Sequence, residues 1–122
     1  MGSGKFMPSK RNPFKLNPLQ MRTLTLLQGL AVMPGMAVKS PDGEITITRF
    51  PASHGDHLHF AGATVAKKDA TGLYNEAVWH ALARKGLARA DWPQSITLTI
   101  AGQTFNTGLA GEIFHPTVPP SA

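Results

Sequence analysis

Histidines are concentrated in one short segment of the chain, His54-Gly55-Asp56-His57-Leu58-His59. On a strand, residues two apart point to the same side, so the rings of His57 and His59 would share one face. His54 or Asp56 could fold back from the preceding loop to supply a third ligand, and such a set suits zinc, iron or nickel. The segment therefore suggests a site for a divalent transition metal. The alternative is that these are ordinary polar residues at a strand edge, since no second His pair follows at a cupin-like spacing.

The chain offers little for catalysis. It has no cysteine, which excludes thiolate nucleophiles, disulfides and cysteine-ligated metals. Ser53 directly precedes His54, and adjacent residues on extended backbone point apart, so the two do not make a nucleophile and its base. No Gly-x-Ser-x-Gly, phosphate-binding glycine loop or paired-carboxylate pattern occurs. We expect a protein that is not an enzyme and that has no cofactor unless the histidine segment holds a metal.

The net positive charge of the chain comes from its N-terminal segment. The formal net charge is +5, and five basic residues with no acid precede residue 23, whereas bases and acids balance after it. This distribution predicts a basic flexible arm over residues 1–16 on a neutral body, and such an arm adds non-specific affinity for nucleic acid. Residues 1–6 are typical of an expression scar, with Met7 as the expected native start. The five bases are Lys5, Lys10, Arg11, Lys15 and Arg22.

Two segments carry the signals of helices. Asn17-Pro18-Leu19-Gln20 combines a capping Asn, a first-turn Pro and a Gln three residues after the cap, which predicts a helix over about 18–32. Apolar spacing predicts a second helix from Leu73 to Lys85 that ends at Gly86. We expect these helices to pack on each other through Leu24, Leu27, Val78 and Leu82. Alternating segments predict strands over 44–50, 57–65, 87–91 and 95–99, of which the first two could form a hairpin.

These elements predict one α+β domain over residues 17–115, followed by a loose tail over 116–122. A chain of 122 residues fits a single hydrophobic core, here built from two main helices and short antiparallel strands. No apolar run reaches the roughly 18 residues of a membrane span, and no signal-peptide core is visible. We therefore expect a soluble, cytoplasmic protein without a membrane partner.

The segment from Val65 to Leu87 resembles the helix-turn-helix of winged-helix proteins, above all the MarR-type regulators. In that family a recognition helix ends in Leu-x-x-Lys-Gly-Leu and leads into a two-stranded wing that closes on Leu-Thr-x-x-Gly. Here the matching residues are Leu82-Ala83-Arg84-Lys85-Gly86-Leu87 and Leu98-Thr99-Ile100-Ala101-Gly102. The resemblance covers about residues 62–102 and implies a winged-helix-like domain. Its first helix would lie in 62–69, a stretch that fits the end of a strand equally well, and the dimerisation helices of the family have no counterpart.

The resemblance implies a small DNA-binding or regulatory module whose partner is double-stranded DNA. On the second helix, Asn75 would pair with adenine, while Arg84 and Lys85 would bind phosphate. The alternative is a solvated face of Glu76, His80 and Arg84, with Trp79 folded onto the core. A domain that binds a metal or small ligand at the histidine segment, and a protein-interaction module favoured by the neutral body, remain the other candidates. The full set of candidate nucleic-acid contacts is Lys10, Arg11, Lys15, Lys67, Lys68, Asn75, Arg84, Lys85 and Arg89.

Overall fold

A computed structural model of the protein describes residues 12–116, apart from the side chain of His54. It has α-helices and two antiparallel sheets, which confirms the predicted α+β class. The helices are α1 Pro18–Ala31, α2 Glu76–Arg84, α3 Ile100–Thr104 and α4 Ala110–Ile113, with 3-10 turns at Lys67–Asp69 and Thr71–Tyr74. The strands are β1 Ala37–Lys39, β2 Ile45–Ile47, β3 Ser53–His54, β4 His57–Phe60, β5 Ala63–Ala66, β6 Ala88–Asp91, β7 Ser95–Leu98 and β8 His115–Pro116.

Helix α1 begins as the sequence predicts and forms the centre of the core. The side chain of Asn17 accepts a hydrogen bond from the Gln20 N–H (2.8 Å), and the Gln20 side chain accepts one from the Asn17 N–H (3.0 Å). This reciprocal capping box satisfies two backbone donors that a helix start leaves without partners. Residues 23–27 are all buried because α2, α3, α4 and both strands β2 and β7 contact α1. The helix has 14 residues, and no described helix is long and apolar enough to cross a membrane.

The first sheet has the strand order β1-β2-β7-β6, with every pair antiparallel. Ile47 and Ile96 are partners in its centre and are both fully buried. Beside them, the hydroxyl groups of Thr46 and Thr97 lie 2.8 Å apart in a cross-strand hydrogen bond. The β6–β7 hairpin confirms the two strands predicted after the second helix, and Thr99 caps α3 by accepting from the Gly102 N–H at 3.1 Å.

The second sheet has the order β3-β4-β5-β8 and differs from the sequence prediction. The predicted hairpin between residues 44–50 and 57–65 is wrong, because β2 belongs to the first sheet and β4 to the second. Residues 57–65 do not form one strand either. Ala61 (φ 24°) and Gly62 (φ 87°) turn the backbone through the left-handed region, so β4 and β5 pair as a hairpin of their own.

Helix α2 starts three residues later than predicted. Residues 71–74 form a 3-10 turn, and the Asn75 side chain then accepts from the Ala77 N–H (3.0 Å) and the Val78 N–H (3.4 Å). Residues 62–69, where the resemblance requires the first helix of the helix-turn-helix, form β5 and a 3-10 turn instead. This part of the resemblance is therefore not met. The C-terminal end of α2 is as expected, since Gly86 (φ 78°) ends the helix.

The two helices pack together as the apolar spacing predicts. Leu24 and Leu27 of α1 and Val78 and Leu82 of α2 are buried in one hydrophobic cluster, and the helices contact each other. Burial of side chains of this size contributes roughly 1.5–3 kcal/mol each before entropy is counted. The contact between these helices therefore anchors the surface of α2 to the centre of the domain.

The body of the domain extends further toward the N-terminus than predicted. Leu16 is buried (5% exposed), and the Phe14 ring lies edge-on to Phe105 with centroids 5.4 Å apart. Asn12 donates to the Leu16 carbonyl at 2.7 Å and accepts from its N–H at 2.9 Å. Residues 12–16 are thus part of the folded body rather than of the arm, because their apolar side chains reach the core. Residues 1–11, with most of the predicted arm, and the predicted tail after Pro116 lie outside the described residues.

Candidate nucleic-acid interface

The exposed face of α2 carries Glu76, His80 and Arg84 at intervals of four residues. His80 Nε2 and Glu76 Oε2 lie 3.1 Å apart, so these two side chains are paired on the helix surface. Arg84 forms no ion pair with any described residue, and its guanidinium is open to solvent. The face therefore matches the alternative given in the sequence analysis, a solvated face of Glu76, His80 and Arg84. Arg84 is the cation on it that is available to an anionic partner.

Trp79 does not belong to this face. It is 1% exposed, and its indole Nε1 donates to the Leu73 carbonyl at 3.0 Å. Its ring lies 4.7 Å from the Trp92 ring and 5.4 Å from the Phe50 ring. The core placement that the sequence analysis gave as the alternative is correct, because a buried indole gains both apolar contact and a partner for its N–H.

Asn75 lies at the start of α2, where its side-chain oxygen is engaged with two backbone N–H groups. To read adenine, an asparagine side chain uses both its oxygen, as acceptor, and its nitrogen, as donor, in a bidentate contact with the base. As the helix cap, Asn75 can offer only its NH₂ group without weakening the helix start. Asn75 therefore has a structural role as the cap of α2. A bidentate contact with adenine would take its side-chain oxygen away from that cap.

Several of the predicted phosphate contacts are already paired. Arg89 forms an ion pair with Glu44 across the first sheet, and Lys68 Nζ lies 3.5 Å from Asp69 Oδ1. In both pairs the basic side chain is exposed to solvent. Exposed ion pairs contribute roughly 0–1 kcal/mol to stability, so a phosphate could displace the carboxylate from either base. Lys67 is exposed and forms no ion pair within residues 12–116. The structure thus divides the body cations into paired ones and unpaired ones, the latter including Lys67 and Arg84.

Lys85 connects α2 to the N-terminal segment. Its Nζ donates to the Phe14 carbonyl at 2.9 Å, so the backbone on either side of that carbonyl lies against the C-terminal end of α2. Lys15 follows directly and is exposed. Cations at a helix C-terminus also interact favourably with the helix dipole. We refer to Lys15, Arg84 and Lys85 as the basic end of α2. Lys10 and Arg11 lie outside the described residues but immediately precede Asn12 in the chain.

The histidine segment is partly assembled. His57 and His59 share a strand face as predicted, with ring centroids 4.9 Å apart, and His57 Nδ1 lies 3.4 Å from the exposed Asp56 carboxylate. His54 is the backbone partner of His57 across the β3–β4 pair. Within the described side chains, however, no group of three or more His, Asp or Glu residues is arranged to hold a metal ion. The structure thus brings His57 and His59 together without completing the predicted ligand set among the side chains it describes.

A cavity of about 440 Å³ opens beside the 3-10 turns that precede α2. Sequence reasoning missed it because its walls come from three separate segments, and no spacing along the chain reveals that they meet. Across one side the Tyr74 hydroxyl donates to the Pro51 carbonyl, and partial burial raises the pKa of this phenol. The main lining residues are Phe50, Pro51, Leu58, Lys67, Ala70 and Tyr74.

The chain was compared with protein-family models, with curated proteins and with solved structures, and nothing in the three comparisons matches it.

Proposed function

We propose that the protein is a small DNA-binding module of winged-helix type, which binds duplex DNA with the basic end of α2 and with the basic segment that precedes Asn12. The observation that carries this proposal is the hydrogen bond between Lys85 Nζ and the Phe14 carbonyl. It brings Phe14, which follows the basic segment in the chain, to the C-terminal end of α2. Arg84 at this end is exposed and forms no ion pair with a described residue. Lys15 and Arg84, which are far apart in the sequence, are thereby brought to the same end of α2.

The order of elements around α2 supports the same proposal. The helix is followed directly by the β6–β7 hairpin, as a recognition helix is followed by a wing in the family that the sequence resembles. The Gly86 turn and the Thr99 cap occupy the positions that the resemblance assigns to them. The departure is on the other side of α2, where β5 and two 3-10 turns replace the first helix of the motif. In this arrangement the 3-10 turn Thr71–Tyr74, rather than a preceding helix of the motif, leads into the start of α2 and contacts it.

The distribution of polar groups favours binding through phosphates over reading of bases. The exposed face of α2 has an acidic residue, Glu76, and its Asn75 is engaged in the helix cap. Exposed cations such as Lys15 and Arg84 release counterions when they contact phosphate, and this gain is independent of sequence. We expect affinity for duplex DNA with little discrimination between sequences. Direct base contacts would have to come from the few remaining exposed positions of α2.

Binding of the full chain to a fluorescently labelled 25-base-pair duplex of mixed sequence tests the proposal. Anisotropy titrations between 50 and 200 mM NaCl should give a linear plot of log K against log salt, with a slope of about −4.5 for five phosphate contacts. A second duplex of unrelated sequence should bind with nearly the same affinity. A chain that binds neither duplex at 50 mM NaCl would contradict the proposal.

A further inference from the structure

The cavity beside the 3-10 turns has the size and composition of a small-molecule site. Its volume of about 440 Å³ falls within the roughly 300–1,000 Å³ that such sites occupy. Leu58 (fully buried) and Ala70 (1% exposed) are apolar lining residues, and Phe50 and Pro51 add further apolar wall. An apolar cavity of this kind, open to solvent, favours a ligand that can bury an apolar body.

The walls of the cavity are held in place without a ligand. The Lys67 N–H donates to the Asp56 carbonyl at 2.7 Å, which joins the first 3-10 turn to the β3–β4 connection. The Tyr74 hydroxyl bonds to the Pro51 carbonyl across the opening, and the Phe50 ring packs against Trp79 of α2. A site that is already formed costs a ligand little ordering of the protein when it binds.

The polar groups at the cavity define the charge of the ligand. Lys67 is the cation among the lining residues, and it forms no ion pair with any described residue. Ser53 and Thr71 add hydroxyl groups that can donate to an anion. None of the described lining residues is acidic, so an ammonium group would find no partner there. A doubly charged anion would leave one charge without a counter-charge, which is costly next to apolar walls.

We propose that this cavity binds a small monocarboxylate with a compact apolar body, whose carboxylate pairs with the Lys67 ammonium while the body rests on Leu58, Ala70 and Phe50. Lys67 then has a different role from that of a phosphate contact. The proposal does not rest on DNA binding, because the cavity and the basic end of α2 are separate features. A chain that fails to bind DNA can still bind the acid, and the reverse also holds.

The experiment is a titration of the ¹⁵N-labelled full chain, followed by heteronuclear NMR, with four probes. 4-Methylpentanoate has the branched body and the single carboxylate, 4-methylpentanamide lacks the charge, L-leucine adds an ammonium group, and acetate lacks the apolar body. 4-Methylpentanoate should cause saturable shifts at the backbone amides of Lys67, Ala70 and Thr71, with a dissociation constant in roughly the millimolar range. The amide and L-leucine should bind about threefold or more weakly, and acetate should not saturate.

A matched pair of variants separates the Lys67 contact from general charge. Lys67→Met keeps the length of the side chain and should weaken 4-methylpentanoate by about three- to fivefold, while the affinity for the amide stays unchanged. Lys39→Met removes the same charge from β1, which does not line the cavity, and should leave both affinities unchanged. Three results would overturn the proposal: no saturable shift at the cavity with 4-methylpentanoate, equal binding of the acid and L-leucine, or an unchanged affinity for the acid in Lys67→Met.

Discussion

Lys85 Nζ and the Phe14 carbonyl oxygen are joined by a hydrogen bond of 2.9 Å, although 71 residues separate them in the chain. Lys85 caps the C-terminal end of α2, and Phe14 packs on Phe105 at the entrance of the chain into the folded body. This contact places Phe14 at the C-terminal end of α2, which also carries the exposed Arg84. This contact is the observation on which the proposed DNA interface rests.

Lys85→Met should loosen residues 12–16 without unfolding the domain. The substitution removes one partly exposed hydrogen bond, which contributes about 1 kcal/mol, and keeps the apolar stem of the side chain. Hydrogen–deuterium exchange of a peptide covering 12–16 should become several-fold faster, while peptides from α1 stay unchanged. Lys15→Met is the control, because the Lys15 side chain has no partner among the described residues. Equal exchange in the two variants would argue against an anchoring role for Lys85.

Removal of residues 1–11 should weaken DNA binding and leave stability unchanged. The deletion takes away Lys5, Lys10 and Arg11 but keeps Phe14 and Leu16, which pack on the body. The slope of log K against log salt should become less negative by up to about 3 if all three bases contact phosphate. A longer deletion through residue 16 should lower the melting temperature as well, since burial of a leucine alone is worth roughly 1.5–3 kcal/mol. An unchanged salt slope after the shorter deletion would assign the phosphate contacts to the body.

Asn75→Ala should destabilise the protein by about 1 kcal/mol, because two backbone N–H groups at the start of α2 lose their acceptor. Asn75→Asp keeps an acceptor at the same place and should retain nearly the full stability. Urea unfolding monitored by circular dichroism measures both. If Asn75→Ala is as stable as the parent chain, the cap is not a significant source of stability and Asn75 regains interest as a base-reading residue.

Gly102→Ala should be among the most damaging small substitutions in the domain. A Cβ at this position would lie 2.0 Å from the Leu87 carbonyl oxygen, a backbone atom that cannot move without disturbing the connection from α2 to β6. We expect a loss of about 3 kcal/mol or more in the free energy of unfolding, as for severe overpacking. Gly111→Ala in α4 is the matched control, since its Cβ would meet open space and alanine favours helix. Similar stabilities for the two variants would show that the close approach at Gly102 is not present.

Local signals predicted much of the fold. The Asn17 cap and the Gly86 end of α2 are each specified by residues within a few positions of one another, so spacing alone identifies them. The boundary between sheets was not predictable in this way. Residues 45–47 and 57–60 both show the alternation of strands. No residue within or beside them indicates that β2 pairs with β7 while β4 pairs with β5.

The candidate site was predicted only in its residue types. Lys85 and Arg89 were identified as basic residues near the second helix, but their partners, the Phe14 carbonyl and Glu44, lie far from them in the sequence. The cavity beside the 3-10 turns was missed because its lining residues share no periodicity. Trp79 shows the same limit, since its helical spacing fits either face and only the packing against Phe50 and Trp92 decides between them.

The most direct test of the proposed DNA interface compares Arg84→Glu with Lys39→Glu in duplex binding at 100 mM NaCl. Both variants change the net charge by two units, but Arg84 lies at the basic end of α2 and Lys39 on β1, at the opposite edge of the first sheet from β6. We predict that Arg84→Glu weakens binding about fivefold or more, with a salt slope less negative by about 1, and that Lys39→Glu has a much smaller effect. Equal losses in the two variants, or no loss with Arg84→Glu, would contradict the placement of DNA at the basic end of α2.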